Sequence, residues 1–119
     1  MTENKLETIR RFWQLFDAKR WDELLPMFHA ECKIVWPNTS EDFTPEAYLR
    51  LNREYPGNWQ ITLEDVTEAQ NKVISVIRIN SVDNGQSLRG IGYFHLQDGL
   101  IYYLLEYFAE DTAKPDWRR

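Results

Sequence analysis

Few residues of this 119-residue chain suit chemistry, and the most promising pair is Glu106 with Arg78. A carboxylate in an apolar setting can give or take a proton, and a guanidinium beside it can orient it or hold a developing oxyanion. The turns bring the two together, because loop length fixes strand register. Asp83-Asn84-Gly85 and Gln97-Asp98-Gly99 each place a glycine third, which suits three-residue hairpin loops with glycine in the left-handed conformation. Val82 then pairs with Gln86 and Leu96 with Leu100. Counting back, Arg78 falls opposite Gly90, and Gly90 opposite Glu106. The acid and the base share one sheet face with a glycine gap between them. Asn80, Gly92, Phe94 and Tyr102 fall on that face too, so an amide and two rings would border the same hollow.

Trp13, Phe16, Trp36, Tyr48 and Trp59 would supply further aromatic wall. A small apolar molecule is the ligand such a hollow fits. Each feature has a plainer reading. Arg78 and Glu106 also read as an ion pair that specifies register. Asn80 reads as a polar residue near a turn, and the rings, Tyr102 included, as core. His29 and Cys32 stand three apart, as metal ligands can, but no further ligands stand nearby, so no metal is expected. Nothing resembles a glycine-rich phosphate cradle.

The elements that must position these residues are legible from periodicity. Leu6, Ile9, Trp13 and Phe16 recur at helical spacing behind Asn4 and Glu7, which suit a helix cap. A short second helix follows, with Asp22 as cap and Leu24, Leu25 and Phe28 inward; Pro26 fits only in its first turn. Cys32 to Trp36 reads as a strand stopped by Pro37. Thr44-Pro45-Glu46 starts a third helix with Tyr48 and Leu51 inward, ended by Pro56-Gly57. From Trp59 the period changes to two. Trp59–Thr67, Lys72–Val82, Gln86–Gln97 and Leu100–Ala109 read as four antiparallel strands. Helices first and a meander second make an α+β domain spanning 1–119, with helices over one sheet face. The other face carries Ile77, Ile79, Arg89, Ile91, Tyr93, His95, Tyr103, Leu105 and Tyr107. That is too apolar to leave in water, and predicts a homodimer through the outer sheet face.

Composition narrows the partners. Lys and Arg number 14 against 19 Asp and Glu, a net charge of −5, which argues against nucleic acid. No apolar run is long enough for a membrane helix. Met1-Thr2-Glu3-Asn4-Lys5 leads into an amphipathic helix instead of an apolar signal segment, and the lone Cys32 fits a reducing compartment, so a cytoplasmic location is expected.

The order of helices, short strand, helix and meander resembles the nuclear transport factor 2-like superfamily, and within it the SnoaL-like proteins. The resemblance is carried by Asp17-Ala18-Lys19-Arg20-Trp21-Asp22, by Gly85-Gln86-Ser87-Leu88 and by Gln97-Asp98-Gly99-Leu100-Ile101. Most of all it is carried by Glu106-Tyr107-Phe108 with Pro115-Asp116-Trp117-Arg118 behind it. It implies a cone-shaped α+β barrel, a curved antiparallel sheet covered on its inner face by about three N-terminal helices. It also implies frequent dimers through the sheet and a pocket between sheet and helices. The fold hosts isomerases, hydrolases, cyclases and non-enzymatic binders. Ketosteroid isomerases use a tyrosine in the first helix and two acids where Phe12, Trp36 and Gly92 stand here, so that chemistry loses all three of its groups. Limonene epoxide hydrolases use an Arg-x-Asp pair and a late acid. Arg78-Ile79-Asn80 and Glu106-Tyr107-Phe108 look like these, but with an amide where the water-activating acid belongs. SnoaL-like cyclases need one acid in an apolar pocket, and Glu106 fits that part. The resemblance thus implies cofactor-free acid–base chemistry of isomerase, cyclase or hydrolase type on an apolar cyclic substrate. The alternative is a non-catalytic ligand-binding or interaction domain with a largely filled core.

Overall fold

The structure is a computed structural model that describes residues 4–118. Met1–Glu3 of the N-terminal stretch and Arg119 of the final Arg118-Arg119 pair lie outside the described residues. Helix α1 runs Lys5–Asp17, with Asn4 as N-cap accepting from the Glu7 amide at 3.1 Å. Ile9, Phe12, Trp13 and Phe16 are its buried face. The short α2, Trp21–Leu24, has no side-chain cap; Asp22 sits inside its first turn instead of before it. Pro26 falls in the 3₁₀ turn Leu25–Met27, where no helical amide is missed. Strand β1, Phe28–Trp36, is longer than the five residues expected, and a second 3₁₀ turn, Pro37–Thr39, leads to the short β2, Glu41–Phe43. Helix α3, Pro45–Glu54, starts as its sequence predicts, with Thr44 Oγ1 accepting from the Ala47 amide at 3.2 Å. Strands β3 Trp59–Ala69, β4 Lys72–Ser81, β5 Ser87–Gln97 and β6 Leu100–Glu110 complete the chain.

The six strands form one curved, open sheet in the order β2-β1-β6-β5-β4-β3. It is mixed: β1 lies parallel to β6, and the other pairs are antiparallel. The parallel pair brings the end of β1 beside the middle of β6, with Val35 opposite Leu105. Helices α1 and α3 cover the concave face, and Phe12, Phe94, Ile34, Ile101 and Leu104 lie wholly buried between.

Both hairpins differ from the three-residue loops expected. At the β4–β5 turn the Ser81 hydroxyl accepts from the amides of Asp83 (3.2 Å) and Asn84 (3.3 Å), and the Val82 amide donates to the Asn58 carbonyl at 2.8 Å. Strand β4 therefore ends one residue early. Arg78 pairs with Arg89 and Ile77 with Gly90, so every side chain of β4 sits on the face opposite to the one expected. Val73, Ser75 and Ile77 point inward, and Arg78 and Asn80 outward. At the β5–β6 turn only Asp98 and Gly99 lie between the paired Gln97 and Leu100, both at positive φ (53° and 81°), as a type I′ turn requires. A bulge between His95 and Leu96 then shifts the register once more. The two shifts cancel in parity, so Gly92, Phe94, Leu104 and Glu106 face inward as expected. Tyr102 lies at the bulge and is 43% exposed. Among the described residues no helix is long and apolar enough to cross a membrane.

Candidate functional site

Glu106 is the centre of the inner face. It stands in a row with Gly92 and Ser75 across three strands, and it is 2% exposed. Two donors reach it from different elements. Trp36, the last residue of β1, donates its indole Nε1–H to Oε1 at 2.9 Å. Tyr48, one turn into α3, donates its hydroxyl to the same oxygen at 3.0 Å. Each position follows from the local sequence. Pro37 ends β1 with Trp36 inward, in step with Cys32 and Ile34, and Thr44-Pro45 sets the helix phase that turns Tyr48 to the core.

The two bonds converge on one oxygen, Oε1, so a proton carried by this carboxyl sits on Oε2. Burial dominates its titration and raises the pKa from 4.5 to about 7; the hydrogen bonds from Trp36 and Tyr48 oppose this by favouring the anion. Tyr48 is pushed well above the usual phenol range, by burial first and then by the charge on Glu106 and the hydrogen bond to it. Near neutrality Glu106 is thus both a usable acid and a usable base, while Tyr48 stays a neutral donor.

The walls are aromatic. Trp36 meets Phe43, Phe108 and Tyr48 edge-on, with ring centroids 4.8, 5.3 and 6.2 Å apart. Phe28 and Phe16 close the inner side of Tyr48 at 6.1 and 6.2 Å. The glycine hollow expected at Gly90 and Gly92 is filled. A β-carbon on Gly90 would meet the Phe108 ring at 3.1 Å, and one on Gly92 the Phe94 ring at 3.2 Å. Two shallow recesses lie at the surface. One, of about 520 Å³, lies along α3 by Arg50, Leu51 and Tyr55; the other, of about 190 Å³, lies between α1 and β3 by Trp13, Asp17 and Ile61.

The remaining candidates divide by position. Arg78 is exposed on the outer face, its Nε 3.5 Å from Ser87 Oγ, so it is not the partner of Glu106; the slipped register carried it through the sheet. Asn80 left the inner face with it, half-buried and paired with Ser87 and Gln60. Tyr102 packs outside against His29, ring centroids 5.2 Å apart. Trp59 donates to the Pro56 carbonyl at 2.8 Å and packs on Tyr55, remote from Glu106. Trp13, Phe16 and Phe94 are core: Phe94 is wholly buried, and Trp13 donates to Ser75 Oγ at 3.1 Å. Only Trp36 and Tyr48 of the predicted lining touch the carboxyl, and as donors instead of apolar wall. The signal for Trp36 was its inward parity at the end of β1, which becomes a contact only through the parallel pairing with β6. Cys32 is buried and its thiol is pushed up to about 12 by that burial, which leaves it unreactive. Among the described residues no group of three or more His, Cys, Asp or Glu is placed to hold a metal ion.

Comparison with known proteins agrees with this architecture. The model of the SnoaL-like domain matches residues 9–104. A Kribbella flavida protein provisionally assigned as a ketosteroid isomerase superposes with a TM-score of 0.82 at 24% identity, over 92% of this chain and 81% of that one. A Burkholderia xenovorans NTF2-like protein of unknown function gives 0.81 at 18% identity, over 94% and 88%. An epoxide hydrolase from M. tuberculosis, of the LEH-like kind, gives 0.72 at 11% identity, over 87% and 81%. At these identities the likeness is one of fold. No curated protein sequence matches the chain.

Proposed function

The chain belongs to the SnoaL-like domain family, and we propose that within it Glu106 is a cofactor-free acid–base site for a small apolar molecule. The observation that carries this is the convergence of Trp36 and Tyr48 on one oxygen of a buried carboxyl. Glu106 moves a proton through Oε2 to or from a cyclic carbonyl or epoxide compound. Tyr48 holds Oε1 and stabilises the carboxylate that remains after proton donation, with Trp36 as a second donor in the resting state. Arg78 has no part in the step. Neighbours of the same fold named for isomerase and epoxide hydrolase activity make such chemistry compatible with the scaffold.

The test begins with a thermal-melt screen against terpene epoxides, steroids and aromatic polyketides, since a ligand of the native state raises Tm. Compounds that bind are then assayed for turnover. Glu106→Gln keeps an acceptor for both donors but cannot carry the proton, so turnover should vanish while the fold survives. Turnover that persists in Glu106→Gln refutes the assignment.

A second reading draws on the filled glycine hollow: a non-catalytic binding or interaction domain. It predicts that Glu106→Gln alters affinity or stability alone. Either reading is compatible with a homodimer through the outer sheet face, which we also propose. Ile74, Val76, Tyr93 and Leu105 are only half-buried there, and Ile91 and Tyr107 are 40% and 41% exposed. Sedimentation equilibrium should find a dimer that Ile91→Asp converts to monomer; a wild-type monomer at micromolar concentration sinks this proposal.

A further inference from the structure

A filled cone with a reactive carboxyl at its centre must admit its ligand by moving something. We propose that Trp36 is a built-in occupant of the site, and that the ligand is a flat aromatic molecule whose ring N–H or phenolic O–H replaces the Trp36 indole on Glu106 Oε1. This rests on the reading of Glu106 as a ligand site and names the ligand class.

Three observations support it. Of the inward residues near the end of β1, Cys32 and Ile34 are sealed (4% and 0% exposed), whereas Trp36 remains partly open to solvent. Trp36 is also the last strand residue. Beyond it come a single 3₁₀ turn and the three-residue β2, and Ser40 between them holds a positive φ of 59°. The indole thus stands at the very end of β1, paired to Glu41 of β2, where the ladder stops. Finally, the atoms around it compose a binding slot. Phe43, Phe108 and Tyr48 present their rings, and Oε1 accepts the indole N–H. Trp13, another indole on the inner side, is 3% exposed and bonded to Ser75 within the core.

The chemistry of the slot follows from what it now holds. Edge-on ring contacts select a flat π system. An acceptor on a buried carboxyl selects a donor, because a ligand without one leaves that oxygen short of a bond it makes in the resting state. The tethered indole competes with any such ligand, so apparent affinity is reduced by the fraction of molecules in which Trp36 has swung out. Removing the occupant should therefore tighten binding, the reverse of what loss of a mere wall residue does.

Indole and 1-methylindole are the probes, matched in shape and differing in the N–H. Calorimetric titration should show Trp36→Ala binding indole about tenfold or more tighter than wild type, with a clearly smaller gain for 1-methylindole. Trp36→Phe retains a ring for folding and drops the donor; it should also gain for indole, which keeps the test decisive if the alanine variant unfolds. In ¹⁵N-labelled wild type, indole should move the Trp36 Nε1–H resonance and leave that of Trp13 in place. No gain in either variant, equal gains for the two probes, or an unmoved Trp36 resonance at millimolar indole overturns the proposal. Its failure is separable from that of the acid–base reading. Turnover lost in Glu106→Gln with no gain at Trp36 refutes the slot alone; tight, donor-dependent indole binding with no turnover of any compound refutes the acid–base role alone.

Discussion

Replacing Glu106 by glutamine should make the protein's stability respond to pH in a way that isolates one proton. In the unfolded chain the carboxyl titrates near 4.5, and in the folded protein burial raises it to about 7. The folded state therefore holds this proton more tightly than the unfolded state does. Below about pH 4.5 both states are protonated and the group costs nothing. Between 4.5 and 7 the unfolded state releases the proton first, and stability falls as pH rises. Above 7 both are ionised and the loss is complete. At about 1.4 kcal/mol per pH unit, the window amounts to roughly 3 kcal/mol. That is a large part of the 5–15 kcal/mol (order of magnitude) that holds such a domain together.

Glu106→Gln removes the titration and keeps a carbonyl oxygen for Trp36 and Tyr48. Every other carboxylate titrates in both proteins and cancels in the difference. Urea melts of the two proteins at intervals from pH 4.5 to 8.5 give that difference directly, provided m stays constant across the pair. The stability of the variant relative to wild type should rise by roughly 3 kcal/mol across the window, with its midpoint between pH 4.5 and 7. A flat difference means that the carboxyl is solvated in the folded state. A difference falling with pH means that the two hydrogen bonds outweigh burial. Either result refutes the reasoning.

Arg78→Ala should leave stability within about 0.5 kcal/mol and the Glu106 pH window unmoved, because the guanidinium is exposed on the opposite face; a displaced window would restore the ion pair. Gly92→Val should cost about 1–3 kcal/mol by overpacking, since its first carbon already meets Phe94 at 3.2 Å and Ser75 Oγ at 3.4 Å; thermal melts read this, and an unchanged Tm would mean that the Phe94 ring yields freely. Trp13→Phe should cost about 1–3 kcal/mol, because it leaves the wholly buried Ser75 hydroxyl without its indole donor. Adding Ser75→Ala should recover part of that loss, and a purely additive double-mutant cycle would show that the bond carries no net stability.

Periodicity and capping chemistry were legible wherever the signal is local. Asn4 and Thr44 cap the helices that their sequences announce, and Ile9, Trp13, Phe16 and Tyr48 face inward by spacing alone. Register was not legible, because it was decided by side chains that counting cannot see. One hydroxyl, that of Ser81, binding two turn amides moved β4 by one residue and exchanged its faces. That single step separated Arg78 from Glu106. Across β5 and β6 a shorter turn and a bulge cancelled, so Glu106 kept its face although both features departed from expectation. The contact between Trp36 and Glu106 depends on a parallel pairing between strands far apart in sequence, for which no short turn supplies a clue.

The resulting arrangement is not one that stability alone favours. The hollow above the two glycines is filled by Phe94 and Phe108, so the fold had apolar side chains to close its centre and used them. At the adjacent position in the same row stands a carboxyl that burial holds partly protonated near neutrality. An apolar residue at Glu106 would leave Trp36 and Tyr48 without an acceptor, yet both elements that carry them are anchored by ring packing as well. The cost of the carboxyl at neutral pH is comparable to what a whole cluster of core methylenes contributes. A group that weakens the fold where it sits, held by two donors on one oxygen, fits the proposed proton or ligand site better than a cohesive role.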